Sequence, residues 1–257
     1  MQTNLRIRAF RATEDFESCV KFYEGHKKVL ENHGITKVTS SNNEWMQSDS
    51  VFVVVVETLD GEKLYGGVRI HVSSSTSGPL PIQTATGKLD PKIHDVVQNY
   101  AQYGAGELCG LWNSKEVAGY GIGSIFPIRA ATSITNQIGL RSLFFLCSPA
   151  TLRFNEWIGS RVIAEVGNNG SFYYPKLDLI ATAVVLEDSL NLPGAQPREK
   201  SKIKLLRENP NLVGQEKSPF KNLLLDVHYN LQLGNANPLE FVQHKHAEAE
   251  EKVYTAI

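Results

Sequence analysis

Between residues 107 and 147 the chain runs through a short apolar strand, a loop with glycine at alternate positions, a helical stretch and a second apolar run. Few folds accommodate that order. The first run is Glu107 to Trp112, the loop is Gly119-Tyr120-Gly121-Ile122-Gly123-Ser124, and the second run has Leu143, Phe144, Phe145 and Leu146 in succession. Consecutive apolar residues in so short a segment predict a strand buried on both faces. A loop lacking side chains at every second position lets its N–H groups turn toward one point, and the following helix adds partial positive charge. The combination predicts a phosphate cradle.

The phosphate can be narrowed by elimination. A Walker loop ends in Gly-Lys-Ser/Thr, whereas this one ends Gly123-Ser124-Ile125 without lysine. A dinucleotide fingerprint needs Gly-x-Gly-x-x-Gly/Ala. Counting from Gly119 the sixth position is Ser124, and from Gly121 it is Phe126, so a dinucleotide enzyme is disfavoured.

The rest of the chain supplies the frame. Leu5 to Phe10 alternates as a first strand. An acidic turn (Glu14, Asp15, Glu17) then opens a helix with a stripe of Phe16, Cys19, Val20, Tyr23 and Leu30, ending near Gly34. Val51 to Val56 and Leu64 to Val72 form a hairpin about Asp60-Gly61. Ser73 to Gly87 has loop composition, and Asp90-Pro91 opens a helix that closes at Gly104. The glycine loop leads into a helix to Ile138, and Ser148-Pro149 caps another through about Ile158. Ser171 to Tyr174 and Leu177 to Leu186 read as strands. After Glu187 the composition shifts to a proline-broken, Lys/Glu-rich region. It holds a solvated helix face at Arg198 to Arg207, a strand at Asn222 to Leu233 and a polar helix from Pro238. The expected division is residues 1–187, with an extension of 188–257 packed on the same domain.

Composition excludes several roles. The net charge of −1 provides no global field for nucleic acid. No run approaches the ~20 apolar residues of a membrane span, and the first ten residues resemble no secretory leader. Cys19, Cys109 and Cys147 lack metal-ligand spacing and read as free thiols of a reducing compartment, so a cytoplasmic protein is expected. His244 and His246 without further ligands are surface residues, and no metal site is expected.

The loop resembles the pyrophosphate loop of the acyl-CoA N-acyltransferase (GNAT) superfamily, commonly Gln/Arg-x-x-Gly-x-Gly/Ala, with Ala118 standing where Gln or Arg is usual. The element order over residues 5 to 187 is similar too. Gly66-Gly67-Val68-Arg69-Ile70, Glu107-Leu108-Cys109 and the helical insert at 88–104 are similar to acyl-homoserine-lactone synthases and long-chain N-acyl amino acid synthases. Those synthases have arginine where this chain has Gly110, so the resemblance does not extend to a homoserine lactone product. It implies an α/β (α+β) fold with a mixed central sheet, two splayed core strands and flanking helices. It further implies an enzyme that moves an acyl group from acyl-CoA, acetyl-CoA or acyl-carrier protein to the amine of a small molecule, an amino acid among the candidates.

The roles implied by the resemblance are these. Pantetheine enters between the splayed strands and pairs with backbone at Leu111, Trp112 and Asn113. Gly119, Tyr120, Gly121, Ile122, Gly123 and Ser124 hold the diphosphate, and Ser148 touches the arm. Glu107 is the candidate general base, because an ammonium has no lone pair with which to attack. Arg69 is the candidate anchor for an acceptor carboxylate. The helix after the second core strand has no tyrosine to protonate the leaving thiolate. Phe154 and Trp157 lie nearest, and Tyr173 or Tyr174 are the alternatives. A catalytically silent acyl-CoA-binding module of the same fold is the competing expectation.

Overall fold

The computed structural model describes residues 4–35, 42–74 and 77–234. The helix expected from Pro238, together with His244 and His246, lies outside the described residues.

The hairpin is the centre of the sheet. Strand β2 (Val51–Glu57) pairs antiparallel with β1 (Asn4–Arg11) on one side and β3 (Leu64–Val72) on the other. All seven residues of β2 are buried, because both faces are covered. Phe52, Val54 and Val56 join a core with Val68 and Ile70, while Val51, Val53 and Val55 pack with Phe22 and Trp112 on the opposite face. Helix α1 (Phe16–Asn32) starts where the Asp15 carboxylate accepts the Ser18 N–H at 3.0 Å. Its buried face is Ser18, Cys19, Phe22 and His26; of the expected stripe Cys19 is buried, Val20 and Tyr23 are half-buried against the same core, and Phe16 is 60% exposed. The reason is aromatic: Phe22 stands edge-on to Trp45 and Trp112, with ring centroids 5.7 and 5.9 Å away, and this fixes the helix rotation.

The stretch expected as loop contains a short helix, α2 (Pro81–Thr86), ahead of α3 (Lys92–Ala101). Strand β4 (Ala105–Asn113) then lies antiparallel to β3. The glycine loop leads into α4 (Ile125–Ser133), all nine residues of which are buried. Strand β5 (Ser142–Cys147) is followed by α5 (Pro149–Trp157), the short strands β6 (Arg161–Val162) and β7 (Ser171–Tyr173), and β8 (Ile180–Leu186).

The region beyond residue 187 continues the same sheet. It forms α6 (Pro197–Glu208), β9 (Val213–Lys217) and β10 (Leu224–Asn230). β10 joins β1 in parallel, giving the order β6-β8-β5-β4-β3-β2-β1-β10-β9, with β7 beside β8. The stretch expected as a solvated helix face buries Glu199, Ile203 and Leu206. Glu199 is drawn inward by Arg129 of α4, whose Nε donates to it at 2.8 Å while Nη1 donates to Glu216 of β9 at 2.9 Å. Tyr229 Oη also donates to Glu216, at 3.0 Å. A buried guanidinium requires such partners, since desolvation is costly for each charge left unmatched.

Arg129→Ala would leave Glu199 buried without its cation and Glu216 with only the Lys202 ammonium, 3.1 Å away, among the described residues. It is expected to lower the unfolding free energy by about 3–5 kcal/mol in urea titrations, and a loss below ~1 kcal/mol would contradict this account.

Candidate active site

Strands β4 and β5 pair only at Ala105↔Ser142, Gly106↔Leu143 and Glu107↔Phe144, and then part. β5 stays with β8 as far as Cys147↔Thr182, while β4 stays with β3. The cause is local. Arg69 pairs with Cys109 and Gly67 with Trp112, so Val68 alone faces Gly110 and Leu111. That is a β-bulge, and it bends its strand. Gly110 sits at φ +63°, and a Cβ there would come within 3.0 Å of the Arg69 guanidinium. Glycine is therefore required at 110 twice over, for backbone and for space. The wedge so opened is a cavity of about 210 Å³, with Glu107, Cys109, Gly110 and Leu111 on one wall and Leu146, Cys147 and Ser148 on the other.

Glu107 lies at the apex and is 2% exposed. Burial pushes its carboxyl up to about 8, although the Ile82 N–H donates to Oε2 at 2.5 Å and Arg69 lies near; both act in the opposite sense. Directly across the ladder is His71, which burial pushes down to about 3. At neutral pH a protonated acid thus faces a neutral imidazole. His71 Nε2 has no hydrogen-bond partner among the described residues. Sequence reasoning passed over His71, yet alternation along β3 was a usable signal, because Arg69 and His71 must share a face.

Arg69 is 1% exposed, with its guanidinium carbon 4.3 Å from the Trp45 ring centroid and 5.7 Å from that of Phe22. Burial lowers its pKa. With His71 it lines a second cavity of about 440 Å³ walled also by Trp45, Ser50, Leu80 and Thr84. Arg69 and Glu107 are thus brought to neighbouring positions on one face of the β3–β4 ladder.

The glycine loop carries backbone donors, with Gly121, Ile122, Gly123 and Ile125 buried and Gly119 half-buried. The N–H groups of Ser124 and Phe126 both fold back onto the Gly121 carbonyl, at 3.2 and 3.1 Å. Those of Gly119, Gly121, Ile122, Gly123 and Ile125 make no hydrogen bond among the described residues. Ser124 is the N-cap of α4, so Pro127 falls in the first turn where its missing N–H costs nothing. The glycines have a further reason beyond ligand approach. A Cβ on Gly121 would meet Pro219 at 2.7 Å, and one on Gly123 would meet Asn113 at 2.2 Å. Gly66 plays the matching part on β3, where a Cβ would come within 2.6 Å of the Trp112 carbonyl and 3.1 Å of Gly123 Cα.

The remaining predicted residues divide by side chain. Leu111 and Ser148 line the wedge, and Ser148 Oγ shares a hydrogen bond with Thr151 Oγ1 at 3.3 Å. Trp112 turns its ring to the far face against Phe22, and Ile122 is core. The Tyr120 ring lies under Lys221 Nζ at 4.4 Å. Phe154 and Trp157 stack on each other. Tyr174 reaches the wedge, whereas Tyr173 is 65% exposed.

No protein-family model matches the chain, and no curated protein matches it by sequence. Solved structures do. FeeM, an N-acyl amino acid synthase from uncultured soil microbes, superposes with a TM-score of 0.55 at 13% identity, covering 77% of this chain and 97% of its own. MesI, a CoA-dependent acyl-homoserine lactone synthase, gives 0.50 at 12% identity over 79% and 95%. BjaI, another such synthase in complex with MTA, gives 0.50 at 11% identity over 82% and 92%. At such identities the likeness speaks for architecture alone, and the chain has the GNAT fold.

Glu107 provides a stability test. The folded state keeps a proton that the unfolded chain releases near 4.5, so its contribution falls as pH rises from there to about 8 and then levels. Glu107→Gln lacks this loss. Denaturant titrations across pH should show the variant gaining on the wild type by at most ~1.4 kcal/mol per pH unit within that window. A difference that stays flat with pH would contradict the assignment.

Proposed function

We propose that the protein is an N-acyltransferase that takes an acyl group from a pantetheine thioester, acyl-CoA or acetyl-CoA above all, and gives it to the amine of a small molecule. The observation that carries this reading is the wedge. Beyond Glu107 the β4 edge has lost its strand partner and faces a cavity, which suits an extended pantetheine arm pairing as an added strand. The five free N–H groups of the loop suit the diphosphate.

In this reading the thioester carbonyl accepts an N–H from β4 near Leu111–Asn113, which stabilises the oxyanion as it forms. The acceptor nitrogen attacks the carbonyl carbon from the Arg69–His71 side. Ionised Glu107 takes the proton from that nitrogen, directly or through water. The C–S bond then breaks, and the thiolate leaves with a proton from Tyr174. An acceptor bearing a carboxylate, such as an amino acid, would find a two-pronged donor in Arg69. FeeM, as an N-acyl amino acid synthase, is consistent with that class. Acyl-carrier protein presents the same arm and is the alternative donor. Free thiols and acyl-CoA are both at home in the cytoplasm, where we assign the reaction.

CoA should raise the melting temperature and NAD should not. Thiol release from acyl-CoA in the presence of an amino acid pool then tests catalysis. No release in the presence of amine, while CoA still binds, would favour a silent binding module. Because Glu107 must ionise, kcat/KM should climb about tenfold per pH unit below about 8 and flatten above it. Glu107→Gln should cost ~10²–10⁴-fold, and an unchanged rate would remove Glu107 from the chemistry.

A further inference from the structure

The β9–β10 hairpin ends in a four-residue tip, Pro219-Phe220-Lys221-Asn222. It is closed by the Ser218 N–H on the Leu223 carbonyl at 2.8 Å and the Leu223 N–H on Ser218 Oγ at 3.0 Å. Asn222 turns the chain at φ +52°. The tip bridges the glycine loop and helix α5. On one side Pro219 and Lys221 fill the places that side chains at Gly121 and Gly119 would occupy. On the other, Phe220 packs on Phe154 of α5 with centroids 6.0 Å apart, and the Arg153 guanidinium lies 4.6 Å over its ring. Phe220 is nonetheless 51% exposed.

The position is not accidental to the fold. Glu216, two residues before the tip's first hydrogen bond, is the buried partner of Arg129 on the helix that follows the glycine loop. The same buried network therefore fixes both the loop and the tip. Lys221 makes no ion pair among the described residues; its ammonium rests on the Tyr120 ring inside the loop. The loop itself supplies only partial charges, and Ala118 beside it supplies none.

Building on the acyltransferase reading, we propose that this tip is a clamp for the nucleotide half of CoA. Lys221 pairs with the diphosphate resting on the loop amides, and Phe220 with Arg153 offers a stacking face for the adenine. A carrier protein's arm ends in a single phosphate and has no base to stack, so the clamp makes free acyl-CoA the preferred donor.

The test compares CoA with pantetheine by calorimetry on the full chain, alongside turnover of acyl-CoA and acyl-carrier protein. The wild type should bind CoA far more tightly than pantetheine. Lys221→Ala should weaken CoA binding about ten- to a hundredfold, so that most of the difference from pantetheine disappears, and Lys221→Arg should retain it. Phe220→Ala, on the same exposed turn, provides a second variant that reads the stacking contact separately. A wild type that binds CoA no better than pantetheine, a Lys221→Ala variant with unaltered CoA affinity, or preference for acyl-carrier protein would each overturn the clamp and leave the acyltransferase reading standing. A wild type that binds neither molecule would overturn both.

Discussion

One inserted residue in β4 shapes the site. Where Val68 faces both Gly110 and Leu111, the strand bends, and the three-residue ladder with β5 cannot continue past Glu107. From that bend follow the cavity, the bare backbone edge, and the placing of Glu107 at the apex, where the low dielectric holds its proton to about 8. Gly110 also makes room for the Arg69 guanidinium. The glycine that sets this chain apart from the arginine of homoserine-lactone synthases is thus tied to a different arginine, one strand over and buried against Trp45.

The second organising feature is the Arg129 network. It joins α4 to α6 and to β9, so the region after residue 187 shares a core with the loop it overlies. Buried ion pairs of this kind contribute little net stability, and their energetic meaning lies in the cost of leaving a partner alone. Their geometric meaning is larger. They hold a hairpin tip against the glycine loop from a point more than eighty residues away in sequence.

Much of the frame was legible because local signals agreed. The valine run of β2, the Asp60-Gly61 turn and the glycine loop each dictated their element by composition alone. Glu107 and Arg69 were visible through the motifs around them. What stayed hidden depended on tertiary context. The face of α1 turned to Phe22 because two tryptophans distant in sequence wait for it. Helix α2 sits in a Ser/Pro-rich stretch with weak helical propensity, yet it donates the N–H that meets Glu107. Glu199 read as a solvated helix charge because its partner, Arg129, lies in another helix. Lys221 looked like one lysine among many, and nothing near it in sequence announces that it lies on the glycine loop.

In the proposed function pantetheine adds to the free edge of β4 with its diphosphate on the loop amides. Amide hydrogen exchange with and without CoA tests it most directly. Slowed exchange at residues 109–113 and 119–125 is the predicted result. No protection at these amides under saturating CoA would contradict it.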